Sequence, residues 1–179
     1  MSFSSEVKEE LEKVIPGPRH CQLAELAAII HFGCKIKAEG EGLDEIRISS
    51  ENLFAFRKYF TLLKKTFIIN VDVVKVLQAV KVCDEGGHMH PLSDEVSPLL
   101  IKNSCCRRAF LRGAFLCIGS MSDPKKGYHL EFVCENEAHA LQIQQAIGSF
   151  DIDAKIVRRK KYHVVYLKEG AGIVDLLNV

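Results

Sequence analysis

A short apolar stretch occurs twice in this chain, as Leu26-Ala27-Ala28-Ile29-Ile30-His31-Phe32-Gly33 and as Arg112-Gly113-Ala114-Phe115-Leu116-Cys117-Ile118-Gly119. Gly33 and Gly119 stand 86 positions apart, and the same offset pairs Ala27 with Gly113, Ala28 with Ala114, Ile29 with Phe115 and Ile30 with Leu116. Self-similarity at a fixed offset marks an internal duplication. Each copy reads as an apolar helix closed by glycine, with small residues a turn or more before the end. Two such helices can approach backbone to backbone while the branched residues pack around the contact. The pattern therefore predicts a helix pair about an internal two-fold axis, packed through Ala27, Ala28, Gly33, Gly113, Ala114 and Gly119.

The chain around these helices reads in a repeated order. Ser5 can cap a helix with Val7, Leu11 and Val14 on one face, ended by Pro16-Gly17-Pro18. A helix over 19–33, apolar nearly all round, predicts burial on more than one side. Residues 34–38 and 45–49 read as a hairpin about Gly40-Glu41-Gly42. Ser50 then opens a helix with Leu53, Phe56, Phe60 and Leu63 on one stripe, ending at Lys64-Lys65. Residues 67–76, rich in β-branched side chains, read as a strand with 79–83 as its partner. In the second half, 103–118 reads as helix, 128–134 as strand and 136–150 as helix, with Ala140, Ile143, Ala146, Ile147 and Phe150 inward. A hairpin over 152–159 and 162–167 turns at Lys160-Lys161, and a short helix covers 173–177. The halves span about 1–83 and 103–179, joined by a Gly-, Pro- and acid-containing linker over 84–102.

A chain of 179 residues, 47% hydrophobic and 26% charged, is globular in composition. With a net charge of +1 no overall field draws it to nucleic acid, so any DNA affinity must come from a local patch. No leader and no membrane-spanning apolar run is recognisable, which predicts a cytoplasmic protein without membrane contact. The seven cysteines are odd in number and contain no C-x-x-C pair. They read as reduced thiols, several of them core residues, rather than as zinc ligands or a disulfide framework.

Two copies of helix, hairpin, helix, hairpin, helix resemble the fold of LAGLIDADG homing endonucleases: α+β, an internally duplicated α-β-β-α-β-β-α pseudo-dimer with two central packed helices and two antiparallel sheets. The first copy of the nine-residue motif falls on 25–33 and the second on 111–119. In that family the eighth position of each copy is an acid that holds a divalent metal at the scissile phosphates. Here those positions are Phe32 and Ile118. Neither supplies the oxygen ligands that a hard cation needs. Glu25 and Asp123, the nearest acids, are not related by the duplication. The resemblance thus implies a catalytically dead domain, with no catalytic residue, metal or cofactor expected.

A narrower resemblance rests on Met1-Ser2-Phe3-Ser4-Ser5-Glu6-Val7-Lys8-Glu9-Glu10-Leu11, on Tyr59-Phe60-Thr61-Leu62-Leu63-Lys64-Lys65, on the run from Cys105 to Leu116, and on Tyr166-Leu167-Lys168-Glu169. These look like the WhiA family of bacterial regulators. The resemblance implies a transcription factor of sporulation and cell division, built from an inactive LAGLIDADG-like N-terminal domain and a C-terminal helix-turn-helix domain absent from this chain. DNA is the implied partner, bound weakly by this domain and mainly through the helix-turn-helix; other transcription factors are further candidates. The location implied is cytoplasmic, at the nucleoid. Two other readings stay open: an active endonuclease with relocated acids, and a pure protein-interaction module.

Lys64, Lys65, Lys75, Lys155, Arg158, Arg159, Lys160 and Lys161 could line a concave sheet surface for DNA phosphates, or could be a solvated hairpin tip and helix end. Alternate strand residues point to opposite faces, so at most half of the hairpin run faces any DNA. Arg107, Arg108 and Arg112 read as an exposed helix edge or, alternatively, as contacts to a partner or to the linker, His88-Met89-His90 as an unliganded loop, and Ser104-Cys105-Cys106-Arg107 as a helix start with buried thiols. His31 reads as a hydrogen-bonded core histidine. The duplication places the two-fold interface within one chain and so predicts a monomer.

Overall fold

The structure is a computed structural model that describes residues 1–38, 46–49, 52–67 and 72–179. Helix α1 (Phe3–Lys13) is capped by Ser2, whose hydroxyl accepts the Ser5 N–H, so the cap lies three residues earlier than the Ser5 suggested by the sequence. Helix α2 (Arg19–Gly33) follows Pro18, and every residue from Ala24 to Ile30 is sealed from solvent. Strands β1 (Lys35–Ala38) and β2 (Ile46–Ser49) pair antiparallel, Lys35 opposite Ser49 and Ala38 opposite Ile46. The turn expected at Gly40-Glu41-Gly42 and the helix start expected at Ser50 lie outside the described residues.

Helix α3 (Leu53–Thr66) is turned differently from the apolar stripe in its sequence. Leu53, Phe56 and Phe60 are exposed, and Ala55, Lys58, Tyr59, Leu62, Leu63 and Thr66 are buried. Its cap sets this rotation. Asn52 accepts the Ala55 N–H and donates its amide to the carbonyls of Leu116 (2.9 Å) and Cys117 (3.2 Å). These carbonyls lie at the C-terminal end of α5 (Ser104–Ile118), where no intrahelical donor remains. The strand expected over 67–76 is not found among its described residues. Helix α4 (Val73–Ala79) occupies its second half, because the Asp72 carboxylate accepts the Val74 N–H and Val76 and Leu77 are buried. Capping and burial here outweigh the modest helix penalty of β-branched side chains.

The second half carries the full order. After α5 come β3 (Gly119–Met121), β4 (Leu130–Cys134), α6 (Glu137–Gly148), β5 (Lys155–Arg159), β6 (Tyr162–Leu167) and α7 (Gly170–Leu177). The sheet runs β3-β4-β6-β5, antiparallel throughout. Strand β3 escaped the sequence pattern, and the strand expected over 128–134 begins at Leu130. One sheet face packs Leu130, Phe132, Cys134, Val165 and Leu167 into the core, and Phe150 is only partly buried. The connecting segment before α5 is pinned to α6: Gln142 exchanges two hydrogen bonds with the backbone of Val96, and His139 Nε2–H donates to Asp94 O at 2.7 Å.

At the centre α2 and α5 pack along most of their length. A Cβ on Gly113 would sit 2.8 Å from the Glu25 carbonyl oxygen and 3.0 Å from Ala28 Cβ, so the contact is backbone on backbone. Beside it lies a sealed ionic group. Lys58 Nζ stands 3.0 Å from Glu25 Oε1, with both side chains fully buried, and Arg112 Nη1 is 3.6 Å from Oε2. Lys58 also donates to the carbonyls of Leu11, at 2.9 Å, and Val14. One lysine of α3 thereby ties the end of α1 to α2. Burial pushes the Glu25 carboxyl up and the Lys58 ammonium down from their ordinary values, and their mutual attraction opposes both shifts. Nearby, His31 Nδ1–H donates to Ala27 O at 2.8 Å, and burial lowers its pKa to about 4.

Three outcomes follow for chemical and thermal unfolding. Gly113→Ala destabilises by about 1–3 kcal/mol through overpacking, whereas Gly148→Ala, with nothing within 4 Å, is neutral or stabilising by up to about 1 kcal/mol. Lys58→Met costs about 3–5 kcal/mol because it strands Glu25, and adding Glu25→Leu recovers much of that loss. His31 is held neutral in the fold, so the unfolded chain binds the extra proton; stability falls as pH drops from 6.5 towards about 4. Unfolding midpoints across that range flatten in His31→Gln.

Candidate functional site

The C-terminal ends of α2 and α5 open onto a cleft of about 430 Å³ lined by His31, Phe32, Cys34, Asn52, Cys117, Ile118, Glu135, Asn136, His139 and Tyr162, among others. The ends are brought together by the helix pair, and Gly33 permits the closeness: a Cβ there would lie 2.6 Å from Cys117 Sγ. Two equivalent asparagines flank the cleft. Asn52 caps α3, and Asn136 caps α6 by accepting the His139 N–H at 2.9 Å.

The lining mixes apolar rings and aliphatic groups with polar side chains, several of which are already committed to other partners. The Phe32 ring packs on His139, with centroids 4.8 Å apart, and on Phe110 at 5.9 Å. Ile118 packs against the core. Among the described lining residues Glu135 is the one carboxylate. His31 and His139 each spend a ring N–H on a backbone carbonyl. Burial pushes the Cys34 and Cys134 thiols up to about 12 and the Cys117 thiol higher still, so none is a thiolate near neutral pH. A hard divalent cation, which takes several oxygen ligands, does not fit this lining.

Neither neighbouring acid repairs the deficit. Glu25 lies seven residues before Phe32, about 10 Å along the helix, and is sealed with Lys58 and Arg112. Asp123 accepts the Lys125 N–H at 2.9 Å and starts a short 3-10 turn over Pro124–Lys126.

The basic residues singled out in the sequence stand on three elements. Lys64 and Lys65 end α3, Lys75 lies on α4 rather than on a strand, and Lys155, Arg158, Arg159, Lys160 and Lys161 belong to the β5–β6 hairpin; all are exposed. Register places Lys155 opposite Tyr166 and Arg159 opposite Tyr162, on the sheet face away from the core, while Arg158, opposite His163, has the other face. Two of these charges are shared with acids. Lys155 Nζ is 2.6 Å from Asp153, and Arg159 Nη2 is 3.4 Å from Glu131, which also meets His129 Nε2 at 2.8 Å. Lys161 lies over the Tyr162 ring at 5.2 Å.

Sequence reasoning missed a second constellation, at the far ends of the central helices. His20, Cys21, Cys105 and Cys106 converge there, with one ligand-capable atom of each within 4.8 Å of the others. The 86-residue offset, which pairs His20 with Cys106, was the available signal.

Two family descriptions match the chain: the WhiA N-terminal LAGLIDADG-like domain over residues 19–81, and the WhiA LAGLIDADG-like domain over 107–179. The probable cell division protein WhiA of Lachnoclostridium phytofermentans is 47% identical over 203 aligned positions, and that of Alkaliphilus oremlandii is 39% identical over 204; all of this chain and 64% of each relative are covered. The chain thus spans a little under two thirds of the length of these relatives. The fold matches a crystal structure of the N-terminal LAGLIDADG domain of WhiA with a TM-score of 0.71 at 24% identity, covering 99% of this chain and 89% of that one. A full-length WhiA from Thermatoga maritima matches equally, over 61% of its length. With both halves, the central helices and the sheet accounted for, the chain belongs to the WhiA family and carries its LAGLIDADG-like fold.

Proposed function

We propose that this chain is a catalytically inactive, homing-endonuclease-like domain of a bacterial DNA-binding transcription regulator of sporulation and cell division. The observation that carries the reading is the pair Phe32 and Ile118 at the positions where active relatives of the fold hold their metal, in a cleft with one described carboxylate. The main DNA-reading element is a helix-turn-helix domain outside this chain. This domain adds accessory contacts, working as a cytoplasmic, nucleoid-located monomer.

The outer sheet face supports a phosphate-tracking role. Lys155 and Arg159 flank Tyr166 and Tyr162 there, with Lys160 and Lys161 at the hairpin tip and Lys64, Lys65 and Lys75 on the other half. Such contacts position a duplex without reading its sequence. Sharing of Lys155 with Asp153 and of Arg159 with Glu131 keeps this affinity low and salt-sensitive. The same neutralisation, with Phe56 and Phe60 exposed on α3, favours a second reading in which the domain contacts other transcription factors instead.

Plasmid incubated with Mg²⁺ or Mn²⁺ stays uncut at every salt concentration; specific nicking would overturn the inactive assignment. In a titration of labelled duplex, binding appears at low salt and is lost at moderate salt. Arg159→Ala reduces the salt slope by about one phosphate contact. An absence of binding at low salt removes the DNA role and leaves the protein-contact reading.

A further inference from the structure

We infer that His20, Cys21, Cys105 and Cys106 form a site for one structural Zn²⁺ that staples the N-terminal ends of α2 and α5 together. The site lies at the opposite end of the helix pair from the cleft, twelve residues or about 18 Å along α2 from Phe32. Its chemistry is also the opposite: three sulfurs and an imidazole are the soft and borderline ligands of a closed tetrahedral zinc centre.

The geometry is that of ligands gathered around one point. His20 Nδ1 is 3.1 Å from Cys106 Sγ, 3.4 Å from Cys21 Sγ and 4.0 Å from Cys105 Sγ. One imidazole nitrogen has either one proton or one lone pair, so it cannot serve three thiols as hydrogen-bond partners. A central cation resolves this excess. With Zn–S bonds near 2.3 Å a tetrahedron places its sulfurs about 3.8 Å apart, within the 4.8 Å that already encloses all four atoms. Cys21 and Cys106 are buried, while His20 and Cys105 stand at the rim and leave a path for the ion.

Two further observations concern what the helix ends lack. The caps of α2 and α5, Pro18 and Asn103, accept no side-chain hydrogen bond, and neither first turn contains an acid. Two positive dipole ends therefore meet side by side, and three thiolates around Zn²⁺ carry a net negative charge that offsets them. The apolar packing at this end is also thin. It consists of Cys21, Ala24, Cys106 and Ala109, set apart from the main core, with Ile101 and Cys105 against it. A metal holds the helices where side-chain volume is small.

The chain has no C-x-x-C, a spacing that draws zinc ligands from one segment. Here each helix gives two adjacent residues, and the duplication brings the pairs together.

The test uses the 179-residue protein purified without added metal, its zinc measured by mass spectrometry, followed by Co²⁺ titration of the chelated protein. Zinc is expected in equimolar amount. Co²⁺ is expected to saturate at one equivalent with thiolate charge-transfer and tetrahedral d–d absorption, and chelation is expected to lower the unfolding temperature. Cys21→Ser and Cys106→Ser abolish these signals, and Cys83→Ser retains them. Should the serine variants not fold by circular dichroism, the Co²⁺ spectrum of the unsubstituted protein decides alone. Absence of zinc with no thiolate–cobalt absorption overturns the assignment, as does a Cys21–Cys105 disulfide in the freshly purified protein, or zinc retained in both folded serine variants.

Discussion

The structure depends on a backbone-to-backbone contact between α2 and α5 at Gly113. Only hydrogen fits between that residue and the Glu25 carbonyl. The approach leaves no room for large side chains on the contact line, so the apolar volume moves to its flanks, where Leu26, Ile29, Ile30, Phe110 and Leu116 are sealed from water. It also fixes where polar groups must go. Glu25, carried into the interior by its own helix, is compensated by Lys58 from α3 and Arg112 from α5. The ion group is a consequence of the contact and a reason for its specificity: any other register of the two helices would separate these charges in a medium where separation is costly.

From that line the molecule has two ends of different character. At one end Phe32 and Ile118 pack against the core beside imidazoles that are bonded to backbone carbonyls and thiols that burial keeps protonated. At the other, three thiols surround an imidazole where two uncapped helices begin. The outer sheet face presents cations, two of which, Lys155 and Arg159, are shared with Asp153 and Glu131.

Much of the fold was legible because it follows from local pattern. The apolar run of α2 and its closing Gly33 gave both bounds of that helix, and the alternation about Lys160-Lys161 gave the β5–β6 turn. The misreadings arise where tertiary contacts decide. Val73, Val74 and Val76 favour a strand in isolation, but the Asp72 cap and the burial of Val76 and Leu77 select α4. The stripe of Leu53, Phe56 and Phe60 looked inward, yet Asn52 bonds to the end of α5 and rotates α3 so that Ala55 and Lys58 face the core. A lysine at 0% exposure cannot be foreseen from its own neighbours in sequence, because its partner stands 33 residues away on another helix. The thiol cluster was hidden for a related reason: its members are adjacent in pairs, and only the duplication brings the pairs to one place.

Native-state hydrogen exchange tests the central contact most directly. The amides from Ala24 to Ile30 in α2 and from Gly113 to Leu116 in α5 should exchange only through global unfolding, as the slowest set in the chain, and should do so together. Exchange of these amides as fast as those of the peripheral helix α7, or at separate rates for α2 and α5, would contradict the account.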